Sequence, residues 1–480
     1  MTTKVGVQEE PAIYKVLRDG FVAAASVRPG EAAEFFRLGD IARTASGGTP
    51  RRDRPDFYGG SIPWVKSGEL RDGIVLATEE AITEAAIEGS SAKIFPKGTV
   101  CVALYGATVG RVGVLGLDAA TNQAVCGIFP SDELRPEYLR YFLFASRRRL
   151  VESGKGGAQP NISQQIVRDL RIPVPSTVRQ REIVAYLDEQ LSRLDASVAT
   201  LHRVQANLKR YRASVLKSAC EGRLVPTEAE LARREGRDFE TGTQLLQRVL
   251  AERKRAWASK RQYVEPVPVA QDELPPLPEG WAWAALDELA WHSSYGTSAK
   301  CSPTATGTAV LRIPNVDRGN IDTTDMKYSA EALDTESTAA LKPGDMLIIR
   351  TNGSKALIGR GAIVQAPFSA PTTFASYLIR FRLMREVSQE WLGLFWQSPA
   401  ARRWIEARAS TSAGQHNVSM SVLATAPIPV PPLAEQHRIV AEADRRLSLI
   451  RVAEAQVSAN LARAQRLRQA ILSSAFAPEI

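Results

Sequence analysis

The chain has 480 residues, 44% of them apolar, and eight tryptophans, enough for two or three ordinary domains because single cores seldom grow beyond about 250–300 residues. This excludes a disordered polypeptide, and 61 Lys and Arg against 52 Asp and Glu leave a net charge of +9, which favours a polyanionic partner without fixing the fold. Four cysteines without a Cys-x-x-Cys pair and only four histidines exclude an ordinary zinc site, and no apolar run or leader is long enough for membrane or export, so the sequence reads as cytoplasmic.

Residues 1–34 carry a short mixed segment, 14–27, with no counterpart later in the chain. From Phe36 onward, short β-type runs broken by Gly and Pro predict an α+β domain, with strands at 62–65 and 99–104, a helix at 138–153, a Gly-rich loop at 154–157 and a closing strand at 172–175. Residues 180 to about 220 contain neither Pro nor Gly and predict one helix of roughly 60 Å. An amphipathic helix at 244–259 follows, and then a linker stiffened by five prolines between Glu265 and Gly280. Trp281 opens a second globular half.

That second half repeats the first. With a shift of 256 residues, Gln159-Pro160-Asn161-Ile162-Ser163 returns as Gln415-His416-Asn417-Val418-Ser419, and Ile172-Pro173-Val174-Pro175 as Ile428-Pro429-Val430-Pro431. The same shift carries Gln180, Ile183 and Val184 onto Gln436, Ile439 and Val440. It also carries a heptad seam, Leu187, Leu194, Leu201, Leu208 and Val215, onto Ala443, Ile450, Val457, Ala464 and Ile471, with Leu191 and Val198 joining the first seam. Two helices of equal length and register in one chain predict an internal pair rather than a dimer contact. In the globular parts the offset slips, so that Ala107-Thr108-Val109-Gly110-Arg111 matches Ala356-Leu357-Ile358-Gly359-Arg360 at 249.

No catalytic set emerges. Residues 353–359 lack the Lys and Ser or Thr of a phosphate loop, the four histidines have no metal spacing, and Pro431-Pro432 lacks the Asn or Asp of an adenine methyltransferase tetrapeptide. Ser163 and Ser419 each precede an apolar helical turn and read as N-caps. The run Arg147-Arg148-Arg149 reads either as a phosphate contact or as a solvated helix face, and Arg403 lies at the 256 offset from Arg147.

Over roughly residues 35–480 the chain resembles the DNA-specificity subunit of Type I restriction-modification systems. The resemblance rests on the paired Ile-Pro-Val-Pro segments, the helix starts Arg179-Gln180-Arg181-Glu182-Ile183-Val184 and Ala434-Glu435-Gln436-His437-Arg438-Ile439-Val440, and the segment Leu277-Pro278-Glu279-Gly280-Trp281. The first half departs from the pattern, having no Pro-Glu-Gly-Trp before it. The resemblance implies an α+β chain of two target-recognition domains related by an internal repeat and separated by two long antiparallel coiled-coil spacer helices. Its parts would be an N-terminal tail (1–34), a first domain (35–178), a spacer helix (179–222), a helical and Pro-rich linker (223–280), a second domain (281–432) and a second spacer helix (433–480).

It further implies a non-catalytic subunit that binds double-stranded DNA and docks two methyltransferase subunits through its helices, with S-adenosylmethionine in those partners, no cofactor in this chain, and an endonuclease/translocase subunit as a further partner. Each domain would read a half-site through the major groove, where all four base pairs are distinguishable. Polar residues in Gly-rich loops beside strands give the candidates Arg51, Arg52, Arg54, Lys66, Thr108 and Arg111 in the first domain, and Arg312, Asn315, Asn352, Lys355 and Arg360 in the second. The competing reading is a coiled-coil scaffold for proteins, or a two-domain DNA-binding protein without restriction-modification partners.

Overall fold

The computed structural model describes residues 34–154, 161–257, 263–270, 274–317, 319–333, 340–412 and 414–476. The segment 14–27, most of the loop 154–157 and the pair Gln159-Pro160 lie outside these residues. The chain divides into two compact units, residues 1–202 with 458–480, and residues 203–457.

The first unit opens on strand Glu34–Arg37, antiparallel to Arg171–Val174 with Glu34 opposite Val174. The second unit repeats this ladder with Ala282–Ala285 against Pro427–Val430. Leu38 N–H then donates to Leu170 O at 2.8 Å, and Leu286 N–H to Ala426 O at 3.0 Å. The first domain therefore begins as the second does, and backbone pairing rather than the Pro-Glu-Gly-Trp sequence defines the start.

Within the first unit one sheet runs Arg43–Ser46, Val125–Phe129, Val100–Ala103, Val112–Leu115, Ile74–Val75. The second unit repeats the order of the first four of these strands in Ala290–Tyr295, Leu378–Leu383, Asp345–Ile349, Gly361–Ile363. Each unit adds a second sheet with one parallel pair, Tyr58–Val65 beside Ala119–Thr121 and Ala309–Leu311 beside Thr372–Phe374. Side chains alternate across a strand. Val100 and Val102 accordingly join a core with Leu139 and Phe142 of helix Pro136–Glu152, while Cys101 and Ala103 join one with Val65 and Phe95. Met346 and Ile348 likewise share a core with Trp391 and Phe395 of helix Gln389–Trp396, and Leu347 and Ile349 with Leu311 and Phe374. Both faces of each central strand are covered, which is why these strands read as unbroken apolar runs.

The first long helix spans Thr177–Cys220 and the second Leu433–Ala475. Gly222, at φ +64°, ends the first, and Arg223 N–H reaches back to Ser218 O at 2.8 Å. In the first unit Leu187 and Leu191 share a core with Ile471 and Leu472, and Asp195 pairs with Arg468. In the second, Val215 and Leu216 share a core with Ala443 and Ile450. Val457 and Ala464 are also buried, and Leu194, Leu201 and Leu208 half-buried, so every seam position is at least partly withdrawn from water.

The repeated glutamine has a physical reason. Gln180 and Gln436 are both 0% exposed. Gln180 Oε1 accepts from Arg135 N–H at 2.9 Å and its Nε2 donates to Pro175 O at 2.9 Å. Gln436 Oε1 accepts from Ser388 N–H at 3.0 Å and its Nε2 donates to Pro431 O at 2.8 Å. Each amide ties the start of a long helix to the residue preceding its domain's own helix. Tyr138 Oη and Trp391 Nε1 add matching bonds, both 2.9 Å, to Pro173 O and Pro429 O. Gln436→Leu is expected to cost about 1–3 kcal/mol for each buried group it orphans. A lower urea midpoint and faster exchange of the Ser388 amide would show it, and an unchanged midpoint would contradict it.

The linker is more structured than a Pro-rich spacer. Helix Glu228–Glu235 starts at a capping box on Thr227, and the amphipathic helix spans Gly242–Trp257, with 258 and 259 outside the described residues. Trp281 Nε1 donates to Glu435 Oε1 at 3.0 Å and Glu228 N–H to Glu435 Oε2 at 2.8 Å. Burial pushes the Glu435 carboxyl up from its ordinary range.

Candidate nucleic-acid interface

Both units carry a hairpin loop at the same place, after the central strand. Ala103 N–H donates to Arg111 O at 2.9 Å and Gly110 N–H to Ala103 O at 2.8 Å. The second unit repeats the closure with Ile349 N–H to Arg360 O and Gly359 N–H to Ile349 O, both 2.8 Å. Gly110 (φ +74°) and Gly359 (φ +72°) take the left-handed turn. At Gly359 a Cβ would lie 2.3 Å from Ile405 Cγ2, so only glycine fits.

In the first unit Arg111 is exposed, with no ion pair among the described residues, and half-buried Thr108 accepts from Arg111 N–H through its backbone carbonyl at 2.9 Å. The other candidates sit among acids. Arg51 pairs with Asp53 at 2.6 Å, Arg54 with Asp56 at 2.6 Å, Arg52 with Glu80 at 2.7 Å, and Lys66 with Glu79 and Glu80 at 2.9 and 3.0 Å. Hydrogen bonds to Glu79 and Glu80 raise the Lys66 ammonium above its ordinary range, and bonds from Arg52 and Lys66 hold the Glu80 carboxyl below its own. The Arg52 guanidinium also lies 4.5 Å over the Tyr58 ring. Exposed pairs of this kind are weak, but four cations beside four carboxylates make a poor site for phosphate.

In the second unit Lys355 is exposed and its ammonium makes no ion pair among the described residues. Arg360 Nε donates to Ala356 O at 3.0 Å and its fork is 3.8 Å from Asp317. Asn352 Oδ1 accepts from Ser354 N–H at 2.8 Å. Arg312 is tied to Asp325 at 2.9 Å. Asn315 is 1% exposed: its Oδ1 accepts from Arg312 N–H at 2.8 Å and its Nδ2 donates to Asp322 O at 2.8 Å, so it braces a loop from the inside.

Two features escaped the sequence reading. Thr351–Asn352, Gln415–Asn417 and Ser410–Ser412 form a three-stranded sheet at the second loop, which exposes Gln415 and half-exposes His416 and Asn417. The signal was present as two short polar runs around Gly414, at φ +75°. Ser419 and Ser163 do cap the following turns, each hydroxyl accepting an amide at 3.2 Å. The second feature is a pair of braces. Arg147 Nε donates to Gly110 O at 2.9 Å and its fork grips Asp72. In the second unit Arg402, and not Arg403 at the 256 offset, makes the corresponding bonds, to the carbonyls of Ile358 and Lys355. Arg148 pairs with Glu152 at 2.7 Å on the solvated face. Among the described residues no cluster of three His, Cys, Asp or Glu could hold a metal ion, and no helix is long and apolar enough to cross a membrane.

Residues 30–209 and 278–446 match the family described as Type I restriction modification DNA specificity domain. The EcoKI specificity subunit of Escherichia coli K12 is 25% identical over 434 residues, 87% of this chain and 82% of that protein. The StySPI specificity subunit of Salmonella potsdam is 25% identical over 427 residues, with the same coverage. A chain solved in work on complex assembly and conformational transition of the type I R-M system shares the fold, with a TM-score of 0.59 at 19% identity, over 94% of this chain and 98% of that one. The matched segments hold both presented loops, both closing ladders, most of the first long helix and the start of the second, and the chain belongs to the Type I restriction-modification DNA-specificity subunits, whose part is recognition and not catalysis.

Proposed function

We propose that this chain reads a bipartite DNA target, one half-site per globular part, and that its long helices space the two reads and dock two methyltransferase subunits. The observation that carries the reading is the loop built twice, closed by the same backbone bonds and followed in each unit by an arginine, Arg111 or Arg360. Base edges in the major groove are read by such donors, and phosphates fix the register. Arg111, Lys355, Arg360 and Asn352 with the Gln415–Asn417 strand are the base and backbone contacts, while Arg51, Arg52, Arg54 and Lys66 reach phosphate only by exchanging a carboxylate for it. S-adenosylmethionine belongs to the partners, an endonuclease subunit can join them, and the assembly works in the cytoplasm.

The first unit takes the beginning of the first helix and the end of the second, and the second unit the reverse. This supports an antiparallel internal coiled coil. The apolar groups it leaves exposed on the helices of the second unit, Val204, Tyr211, Leu449 and Val452, suit a protein partner. Leu449→Asp is expected to abolish co-purification with the methyltransferase at an unchanged urea midpoint. Neighbouring Ile450, 2% exposed, should instead cost about 3–5 kcal/mol as Asp. Full partner binding by Leu449→Asp would remove this face from the docking surface.

The direct test is binding of the purified chain to a random duplex library over a range of salt. Selective, salt-dependent enrichment of a bipartite motif is expected, with Arg111→Ala and Arg360→Ala each losing about 1–3 kcal/mol of discrimination in one half only. Enrichment of no motif would leave the scaffold reading.

A further inference from the structure

We propose that Arg147 and Arg402 are positioning residues for readout: each fixes its domain's presented loop in the conformation that aims Arg111, or the segment 355–360, at the bases, and neither grips phosphate itself. This rests on the bipartite reading above.

In the first unit, Asp72 is the one non-glycine residue at positive φ, +64°, among the described residues. Its N–H donates to Val112 O at 2.8 Å, and its Oδ1 accepts from Val112 N–H at 3.1 Å. The same carboxylate receives both terminal nitrogens of Arg147, whose Nε donates to Gly110 O. A single ion pair therefore holds the residue before Arg111 and the residue after it. Unusual backbone held by its surroundings is a mark of a site whose geometry matters.

The second unit reaches the same end with different parts. Arg402 donates to Ile358 O and Lys355 O and pairs with Glu406 at 2.6 Å, while Trp396 Nε1 donates to Gly359 O at 2.8 Å. In both units a helix behind the loop supplies a planar guanidinium that donates to the loop backbone, through Nε to one carbonyl in Arg147 and through both terminal nitrogens to two in Arg402, and whose remaining donors meet a carboxylate, Asp72 or Glu406. A guanidinium so committed has little left for phosphate, and lysine cannot reproduce the fork. The two braces lie one residue apart in the repeat, so the function of the contact, and not its sequence position, has been kept.

The experiment is selection of duplexes from a random library by the full chain, with binding of the selected duplex followed against salt. Arg402→Lys keeps the charge and is expected to lower base preference about tenfold in one half-site, the share one good base contact supplies, with the other half and the salt slope unchanged. Arg147→Lys should do the same in the opposite half. Trp396→Phe, which removes one bond from the same loop, should weaken the same half as Arg402→Lys by a smaller factor. Arg402→Gln, which removes the charge, should leave the salt slope unchanged as well; a slope reduced by about one unit in that variant would make Arg402 a phosphate contact and overturn the proposal. Unaltered preference in both Arg402→Lys and Trp396→Phe would also overturn it, as a merely structural role. A wild-type chain that selects no bipartite motif removes the reading underneath, a result distinct from either.

Discussion

Adding one heptad to each long helix, by duplicating residues 201–207 and 457–463, is expected to widen the unread gap of the target while leaving both half-sites unchanged. The insertions fall where the chain passes between its two compact units, at 202/203 and 457/458, and so add to the helices without entering either globular core. Seven residues preserve the phase of the seam, in which Leu194, Leu201 and Leu208 are half-buried and Ile450, Val457 and Ala464 buried. They add roughly 10 Å at 1.5 Å each, or at most about 3 base pairs at ~3.4 Å per pair. Duplex rotation works against the full step, and one or two added pairs is the expected gain. Insertions of three or four residues break the phase and should be tolerated less well. An active heptad variant with an unaltered gap would show that the helices do not set the spacing.

The helical half of the repeat was legible in the sequence because an apolar seam of period seven tolerates no drift. Each seam residue must return every seven positions, and Gln180 and Gln436 must reach carbonyls five residues back, so both copies kept one offset. The globular halves kept topology instead. Ala103 and Ile349 are 246 apart, Arg111 and Arg360 249, and Ile162 and Val418 256, although backbone hydrogen bonds make each pair equivalent. Loops absorb insertions without disturbing a sheet. That drift hid the equivalence of Arg147 and Arg402.

Exposure was the part least visible. Asn315 and Asn352 are the same residue type in similar Gly- and Pro-marked loops, yet one is buried as a brace and the other half-exposed. Arg51 and Arg54 carry their partners two residues on, whereas the acids facing Arg52 and Lys66 come from residues 79 and 80, a pairing that only folding brings about. Burial of Trp281 against Glu435 likewise depends on a helix start 154 residues away.

The central claim is that each globular part makes its own read. The sharpest measurement is the methylated motif, found by sequencing, of a chimera in which residues 286–426 are replaced by the equivalent region of a relative with a different target. These limits leave the closing ladder Ala282–Ala285 with Pro427–Val430, the Trp281–Glu435 bond and both long helices in place; the partner of the Gln436 amide, Ser388 N–H, is a backbone group that any sequence except proline supplies. One half-site should change to the relative's, with the other half-site and the gap retained. A chimera that methylates a motif altered in both halves, or in neither, would contradict the account.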